Sequence, residues 1–441
     1  MAKLQRASVV LTTGHEKVQV LDELGEGGQG VVYRVEFRNA CYALKWYPRS
    51  MGIDETVFYN NIKQNMRKGR PAETFLWPLA LTKKDMRGRF GYIMQLRPAE
   101  YREFSRFLLN REKFSGFQPM LRSALLIAAS FRQLHLSGLS YQDLNDGNFF
   151  IHPKTGEILI CDNDNIVPDA AFLGIKGKPR YMAPEVVLGE CEPDMYTDRF
   201  SLAVILFLLL CRNHPLEGSA DAGTELPELR ERRLFAEQPV FIFDPRADTN
   251  RPRPDIHRNA LKLWPLYPEY IRELFIRAFS RGAMRCAKDE RQNRRVTEKE
   301  WIRAFFRLQD SLSVCPLCGE ETFYTYEPDS RCMNCGGILP PPALLSLRRS
   351  RVVLYPGKRL YPYHLESGSI SVSDLEHPIA EVVRHEQDPG VWGIRNMSGA
   401  AWRKFSPAGK TGACAPGESV TVARGVRIQF GGNSGLCGII E

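Results

Sequence analysis

No apolar run in this sequence is long enough to cross a membrane. The longest, Phe200 to Cys211 (FSLAVILFLLLC), has twelve residues, where a span needs about 20. A buried core helix is the expectation there. The first stretch, Met1 to Val20, is mixed polar and has no apolar core of a secretory signal. Internal repeats and long low-complexity tracts are absent. Hydrophobic residues at 43% and charged residues at 25% exclude a wholly disordered or collagen-like chain. The charge excess is small, 60 Lys+Arg against 51 Asp+Glu for a net +9. That fits an anionic ligand but is too weak to argue for nucleic acid. A cytoplasmic protein with neither membrane nor nucleic-acid partners is expected.

The 441 residues are enough for about two to four domains. Among the eleven cysteines, four form two C-x-x-C pairs. The other seven are an odd number scattered through mixed sequence, which speaks for reduced thiols and metal binding rather than a disulfide framework.

Short β-like runs open the chain: Val18 to Val20, Val31 to Phe37 and Cys41 to Trp46. Phe58 to Met66 reads as a helix, and Phe90 to Leu96 as a strand. Leu121 to Ser137 has helical apolar spacing with Gly138 as terminator. Phe200 to Cys211 and Tyr270 to Phe279 are further helices. Leu339-Pro340-Pro341-Pro342 reads as a linker. Beyond it, β-like runs such as Val420 to Val422 and Val426 to Phe430 suggest a small β-sandwich.

Gly25-Glu26-Gly27-Gly28-Gln29-Gly30-Val31-Val32 is a G-x-G-x-x-G-x-V pattern. Dinucleotide folds use similar glycines but open a helix with them. Here a β-branched run follows, so a glycine loop between strands, able to cover phosphates, is expected. Lys45 closes the apolar stretch Ala43-Leu44-Lys45, thirteen residues after Val32. Tyr141-Gln142-Asp143-Leu144-Asn145-Asp146-Gly147-Asn148 follows the helix. Asp162 comes fourteen residues after Asn148, behind Ile158-Leu159-Ile160-Cys161. Ala183-Pro184-Glu185 comes later, and Thr197-Asp198-Arg199 opens the apolar helix that runs on from Phe200.

That ordered set, over roughly residues 15–310, resembles a bacterial eukaryotic-like (Hanks-type) Ser/Thr protein kinase. The resemblance implies an α+β bilobal kinase-like fold over 1–310, with an N-lobe at about 1–96 and a C-lobe at about 97–310. It implies an ATP- and Mg²⁺-dependent enzyme acting on a protein substrate. Asp143 would orient the substrate hydroxyl. Asn148 and Asp162 would ligate Mg²⁺. Lys45 and the loop glycines Gly25, Gly27, Gly28 and Gly30 would hold the triphosphate. Val32 and Ala43 join the nucleotide site, Met94 is the implied gatekeeper, and Gln95 to Arg97 the hinge. Glu185 would pair with Arg295, and Asp198 would brace the catalytic loop.

The departures carry information. Gln142 replaces the arginine that receives an activation-segment phosphate. The segment from Asp162 to Glu185 has no Ser or Thr. Both predict activity without activation-loop Ser/Thr phosphorylation. Asn145 replaces a lysine, and Lys178 is expected to supply the missing charge near the γ-phosphate. The window for the helix glutamate that pairs with the active-site lysine holds Asn60, Asn61, Lys63 and Gln64. Asp162-Asn163-Asp164 replaces Asp-Phe-Gly, so the familiar phenylalanine switch is not expected. The chain is similar to bacterial TerY-associated kinases, which implies a metal-dependent protein phosphatase and a von Willebrand A domain protein as partners.

Cys315, Cys318, Cys332 and Cys335, with thirteen residues between the pairs, predict a structural four-cysteine Zn²⁺ ribbon over 311–343. Residues 344–441 form the expected β-sandwich. Its end, from Val391 to Gly431, resembles the second half of a forkhead-associated domain, and Arg348-Arg349-Ser350-Arg351 is a basic patch. Two other classes compete with the kinase: a nucleotide-binding pseudokinase scaffold, and a phosphopeptide-binding adaptor.

Overall fold

The computed structural model describes residues 3–28, 30–48, 54–169, 171–174, 177–221, 226–348, 350–365, 372–431 and 437–441. Gln29 of the glycine motif and Arg349 of the basic patch lie outside them. The chain divides into two compact units. The first comprises Met1–Ser115, Ser130–Leu261 and Leu274–Glu298; the second Gly116–Ala129, Lys262–Glu273 and Lys299–Glu441. Among the described residues, no helix is long and apolar enough to cross a membrane.

The first unit begins with an antiparallel sheet of β1 (Val9–Leu11), β2 (Lys17–Glu26), β3 (Val31–Phe37), β4 (Ala40–Tyr47), β5 (Ala80–Leu81) and β6 (Phe90–Gln95), in the order β1-β2-β3-β4-β6-β5. Alternation in β3 (Val31, Tyr33, Val35 and Phe37 in; Arg34 and Glu36 out) gives the sheet one apolar face. Those four pack with Val18, Val20, Leu44, Trp46 and Ile93. Helix α1 (Glu55–Lys68) follows. Its N-cap is Asp54, whose carboxylate accepts from the amides of Thr56 and Val57. It buries Phe58, Asn61, Ile62 and Asn65.

The expected helix at Phe200 to Cys211 is present and starts earlier, at Met195. Asp194 and Thr197 form a reciprocal capping box at its start. Every side chain from Phe200 to Cys211 is buried. At about 1.5–3 kcal/mol for each large apolar side chain, this helix is a main anchor of its unit. The helix Phe117–Leu136 ends at Gly138, whose φ of 67° explains the glycine.

In the second unit, a hairpin pairs Leu312–Val314 with Glu321–Phe323. Two larger antiparallel sheets follow. Six strands run in the order Arg351–Val353, Leu344–Ser346, Cys437–Ile440, Arg427–Gln429, Trp402–Phe405, Thr411–Cys414. Four run in the order Arg359–Leu360, Ala380–Arg384, Trp392–Asn396, Ser419–Thr421. Leu345, Val352, Trp402 and Ile428 of the first sheet share one core with Leu360, Val382, Ile394 and Val420 of the second. Glu321 accepts from the amides of Phe117 and Gln118, placing a carboxylate at the positive end of that helix.

Candidate active site

Two short antiparallel strand pairs, one nested within the other, deliver the chemistry-bearing loops. Leu139–Ser140 pairs with Val167–Pro168, and Phe149–Ile151 with Ile158–Ile160. The segments between the pairs, 141–148 and 161–166, therefore run side by side. Tyr141 ties them together: its hydroxyl donates to the Cys161 carbonyl and accepts from Asn148 Nδ2 at 2.9 Å. The buried Asp198 holds the first loop from below, accepting from the Tyr141 amide at 2.6 Å and the Gln142 amide at 3.0 Å. His135 Nε2 lies 3.2 Å from Asp198, and its Nδ1 is 2.8 Å from Glu298. Burial alone would lower the His135 pKa; those hydrogen bonds instead push it up to about 9.

Gln142 and Asp162 adopt left-handed backbone conformations, φ 70° and 56°, a strained choice for non-glycine residues. Both flank groups that matter. Asp143 Oδ1 accepts from Asn145 Nδ2 at 3.2 Å. Burial pushes the Asp143 carboxyl up to about 6, against the hydrogen bond from Asn145. Asn148 spends its amide nitrogen on Tyr141 and on the Asp143 carbonyl, at 2.9 Å each. Its amide oxygen is left as the atom that can meet a cation.

Lys45 is buried. Its ammonium contacts Asp162 Oδ1 at 3.1 Å and Asp164 Oδ1 and Oδ2 at 3.0 and 2.9 Å. Burial opposes the charge, but both carboxylates raise the lysine pKa above its usual value. Asp164, fully buried, also accepts from Tyr47 at 2.6 Å and Tyr92 at 2.9 Å.

The glycines divide into two kinds. A Cβ at Gly30 would lie 2.6 Å from the Trp46 carbonyl oxygen, so the packing of β3 on β4 requires glycine there. A Cβ at Gly25 or Gly28 would meet nothing within 4 Å, and at Gly27 only the Gly30 carbonyl at 3.9 Å. Neither packing nor a positive φ demands glycine at these three positions. Below the loop, Ala43, Met94 and Cys161 belong to one apolar cluster, with Val32, Leu96, Phe150 and Leu159 packed against it. Met94 is buried, Gln95 is exposed and Arg97 is half-buried. The Arg97 guanidinium lies 4.4 Å from the Phe150 ring centroid.

In the following segment, Gln142 Nε2 donates to the Ala171 carbonyl at 2.6 Å and the Pro193 carbonyl at 3.2 Å. Lys178 Nζ donates to Asn145 Oδ1 at 3.2 Å. Arg295 pairs with Glu185 at 2.8 Å, both buried.

Sequence reasoning missed Asp164, Tyr47 and Tyr92, and with them the polar face of α1. Asn61 and Asn65 each donate to the Ile166 carbonyl at 2.7 Å. The available signal was the second aspartate of Asp162-Asn163-Asp164, together with two tyrosines at the inward positions of β4 and β6.

A separate group lies in the second unit. The sulfurs of Cys315, Cys318, Cys332 and Cys335 all lie within 4.8 Å of one another. Cys315 is 3.8 Å from Cys335, and Cys318 is 3.6 Å from Cys332. The two knuckles match: Gly319 (φ 74°) returns its amide to the Cys315 carbonyl, and Gly336 (φ 70°) to the Cys332 carbonyl. This set can hold one tetrahedral metal ion.

A glycine hairpin beside an apolar cluster, a buried strand lysine, and an aspartate loop braced by a helix carboxylate are features that the protein kinase fold brings together. Residues 18–264, more than half of the chain, match the protein kinase domain family, and the chain belongs to it. It is similar to calcium-dependent protein kinase 9 of Oryza sativa subsp. japonica, 30% identical over 122 residues (26% of this chain, 21% of the relative). It is likewise similar to CDPK-related kinase 1 of Arabidopsis thaliana, 30% identical over 118 residues (26% and 20%). A probable serine/threonine-protein kinase, MARK-C, of Dictyostelium discoideum is 33% identical over 91 residues (20% and 12%). The chain spans at most 21% of the length of these relatives.

Proposed function

We propose that this protein is an ATP- and Mg²⁺-dependent protein Ser/Thr kinase that works without Ser/Thr phosphorylation of its activation segment. The observation that carries the reading is the convergence of Lys45, Asp143, Asn148 and Asp162 on two adjacent loops, beneath glycines that protein packing does not require. Asp162 and Asn148 offer hard oxygen donors of the kind Mg²⁺ takes. Bound Mg²⁺ neutralises charge on the transferring phosphates.

In this reading the apolar slot of Val32, Ala43, Met94 and Phe150 receives the base, and Gln95 to Arg97 present the hinge backbone to it. Gly25, Gly27 and Gly28 let backbone amides approach the phosphates. Lys45 pairs with them, and Lys178 adds positive charge from beside Asn145. Asp143 accepts the hydrogen bond of the substrate hydroxyl and orients it in line. Gln142 supports the absence of a phosphate switch, because its amide already holds the Ala171 carbonyl.

The four cysteines hold a structural Zn²⁺ in this reading. Bonds of about 2.3 Å in a tetrahedron imply sulfur separations of about 3.8 Å, close to the 3.8 and 3.6 Å found. The two sheets of residues 344–441 are read as a β-sandwich of forkhead-associated type. The metal-dependent phosphatase and the von Willebrand A protein remain the proposed partners.

The test is phosphotransfer from γ-labelled ATP to protein, with wild type, Asp143→Ala and Asp162→Ala, with and without Mg²⁺. Transfer by wild type alone, dependent on Mg²⁺, is expected. Nucleotide binding without any transfer would instead make the chain a pseudokinase scaffold. Native mass spectrometry of the same sample should find one zinc per chain, absent from Cys332→Ser.

A further inference from the structure

Helix α1 brings no acid to the active-site lysine. Its buried face is Phe58, Asn61, Ile62 and Asn65, and the two asparagines spend their amides on the carbonyl of Ile166. The lysine nevertheless has a carboxylate, and that carboxylate is locked. Asp164 meets Lys45 with both oxygens. Tyr47, two residues beyond Lys45 on the same face of β4, donates to Oδ2. Tyr92, directly opposite Lys45 in the β4–β6 register, donates to Oδ1. The segment cannot easily rotate, because Asn163 donates to the carbonyls of Leu76 and Ile160, each at 2.9 Å.

We propose that Asp164 is the positioning residue for Lys45: its carboxylate, clamped by Tyr47 and Tyr92, aims the ammonium at the phosphates of a bound nucleotide, while α1 serves as an amide-bearing brace. The proposal rests on the kinase reading above and deepens it. Where a helix supplies the carboxylate, swinging that helix breaks the pair. Here the lysine's partner and the metal-binding aspartate stand two residues apart on one braced segment. The lysine and metal geometry are therefore assembled together, independently of any charge on α1.

The experiment uses the full chain. Asp164→Asn keeps one of the two oxygens that accept from Tyr47 and Tyr92, turns the other into an amide donor, and removes the charge. Misplacing a catalytic group by about 1 Å can cost roughly 100-fold, so kcat should fall roughly 10- to 100-fold. The KM for ATP should change less than about threefold. Adding Asn61→Glu to Asp164→Asn returns a carboxylate from α1 and should recover about tenfold of the loss. A merely structural role would not produce that rescue.

Asp164→Asn with kcat within about twofold of wild type would overturn the proposal. If Asp164→Asn unfolds, seen as labelling of the buried Cys211 thiol, the Tyr47→Phe/Tyr92→Phe pair decides. A kcat loss of about tenfold with Cys211 protected supports the clamp, and full activity overturns it. If wild type transfers no phosphate, the kinase reading fails separately. The tether is then judged by the NMR signal of the Lys45 ammonium in Nζ-labelled protein. A slowly exchanging signal that Asp164→Asn abolishes supports it, and an unchanged signal overturns it.

Discussion

Two lysines of this protein are equally buried and oppositely tuned. Lys45, in the first unit, is 4% exposed and Lys358, in the second, 3%. Lys45 touches two carboxylates at 2.9–3.1 Å, and its pKa is raised. Lys358 donates to the Gln309 carbonyl, with Asp310 at 3.9 Å, and burial lowers its pKa to about 8. Asp310 is already engaged by His364 Nε2 at 3.0 Å. Burial alone drives a lysine toward neutrality; carboxylates in direct contact reverse the sign. In the proposed function, the lysine that keeps its charge is the one that pairs with phosphate.

The sharpest way to break the comparison is to remove each charge. Lys45→Met strands the buried Asp164 carboxylate, so unfolding stability should drop by about 3–5 kcal/mol, with loss of phosphotransfer. Lys358→Met leaves Asp310 paired with His364 and should be neutral or stabilising, by up to about 2 kcal/mol. Denaturant titration checks both, and equal losses would end the contrast.

The next effect is in pH. Lys358 has a folded pKa of about 8 against an ordinary lysine value of 10.5. The unfolded chain binds more protons between those values, so this group makes stability rise with pH from about 8 to 10.5. His135 has the opposite sign: with a folded pKa of about 9 against 6.5, its contribution is full below about 6.5 and lost as pH rises through 9. Each slope is at most about 1.4 kcal/mol per pH unit. Stability profiles of Lys358→Met and His135→Gln should each lack one slope and keep the other.

The smallest expected effect concerns Gln142. Gln142→Ala removes the bonds to the Ala171 and Pro193 carbonyls. At about 1 kcal/mol per net hydrogen bond, amide exchange around Ala171 should speed up about fivefold. Unchanged exchange would mean that Gln142 does not hold this segment.

Legibility in the sequence followed the range of the interaction. The glycine hairpin, the aspartate loop and the cysteine knuckles are local patterns, and their spacing marked them directly. The pairing of Glu185 with Arg295 came only through family resemblance, and the geometry has it at 2.8 Å. The Lys45 partner escaped because the kinase resemblance points to an acid on α1. The carboxylate instead comes from 119 residues away, on a segment read only as a metal-binding motif. The opening of the buried helix was read at Thr197, and the structure starts it two residues earlier, at Met195, capped by Asp194. Its polar first turn carries Thr197 and Asp198 for capping and bracing, outside the apolar run that marked the helix.

Gln142 leads furthest beyond the site. A phosphate on an activation segment is a reversible mark: one enzyme writes it and another erases it. The amide of Gln142 is built in at translation and needs no second enzyme to put it in place. In a kinase wired this way, the activation segment carries no memory of past signals. On the proposed function, control would enter through what reaches the site, such as nucleotide supply, substrate delivery or the amount of protein made.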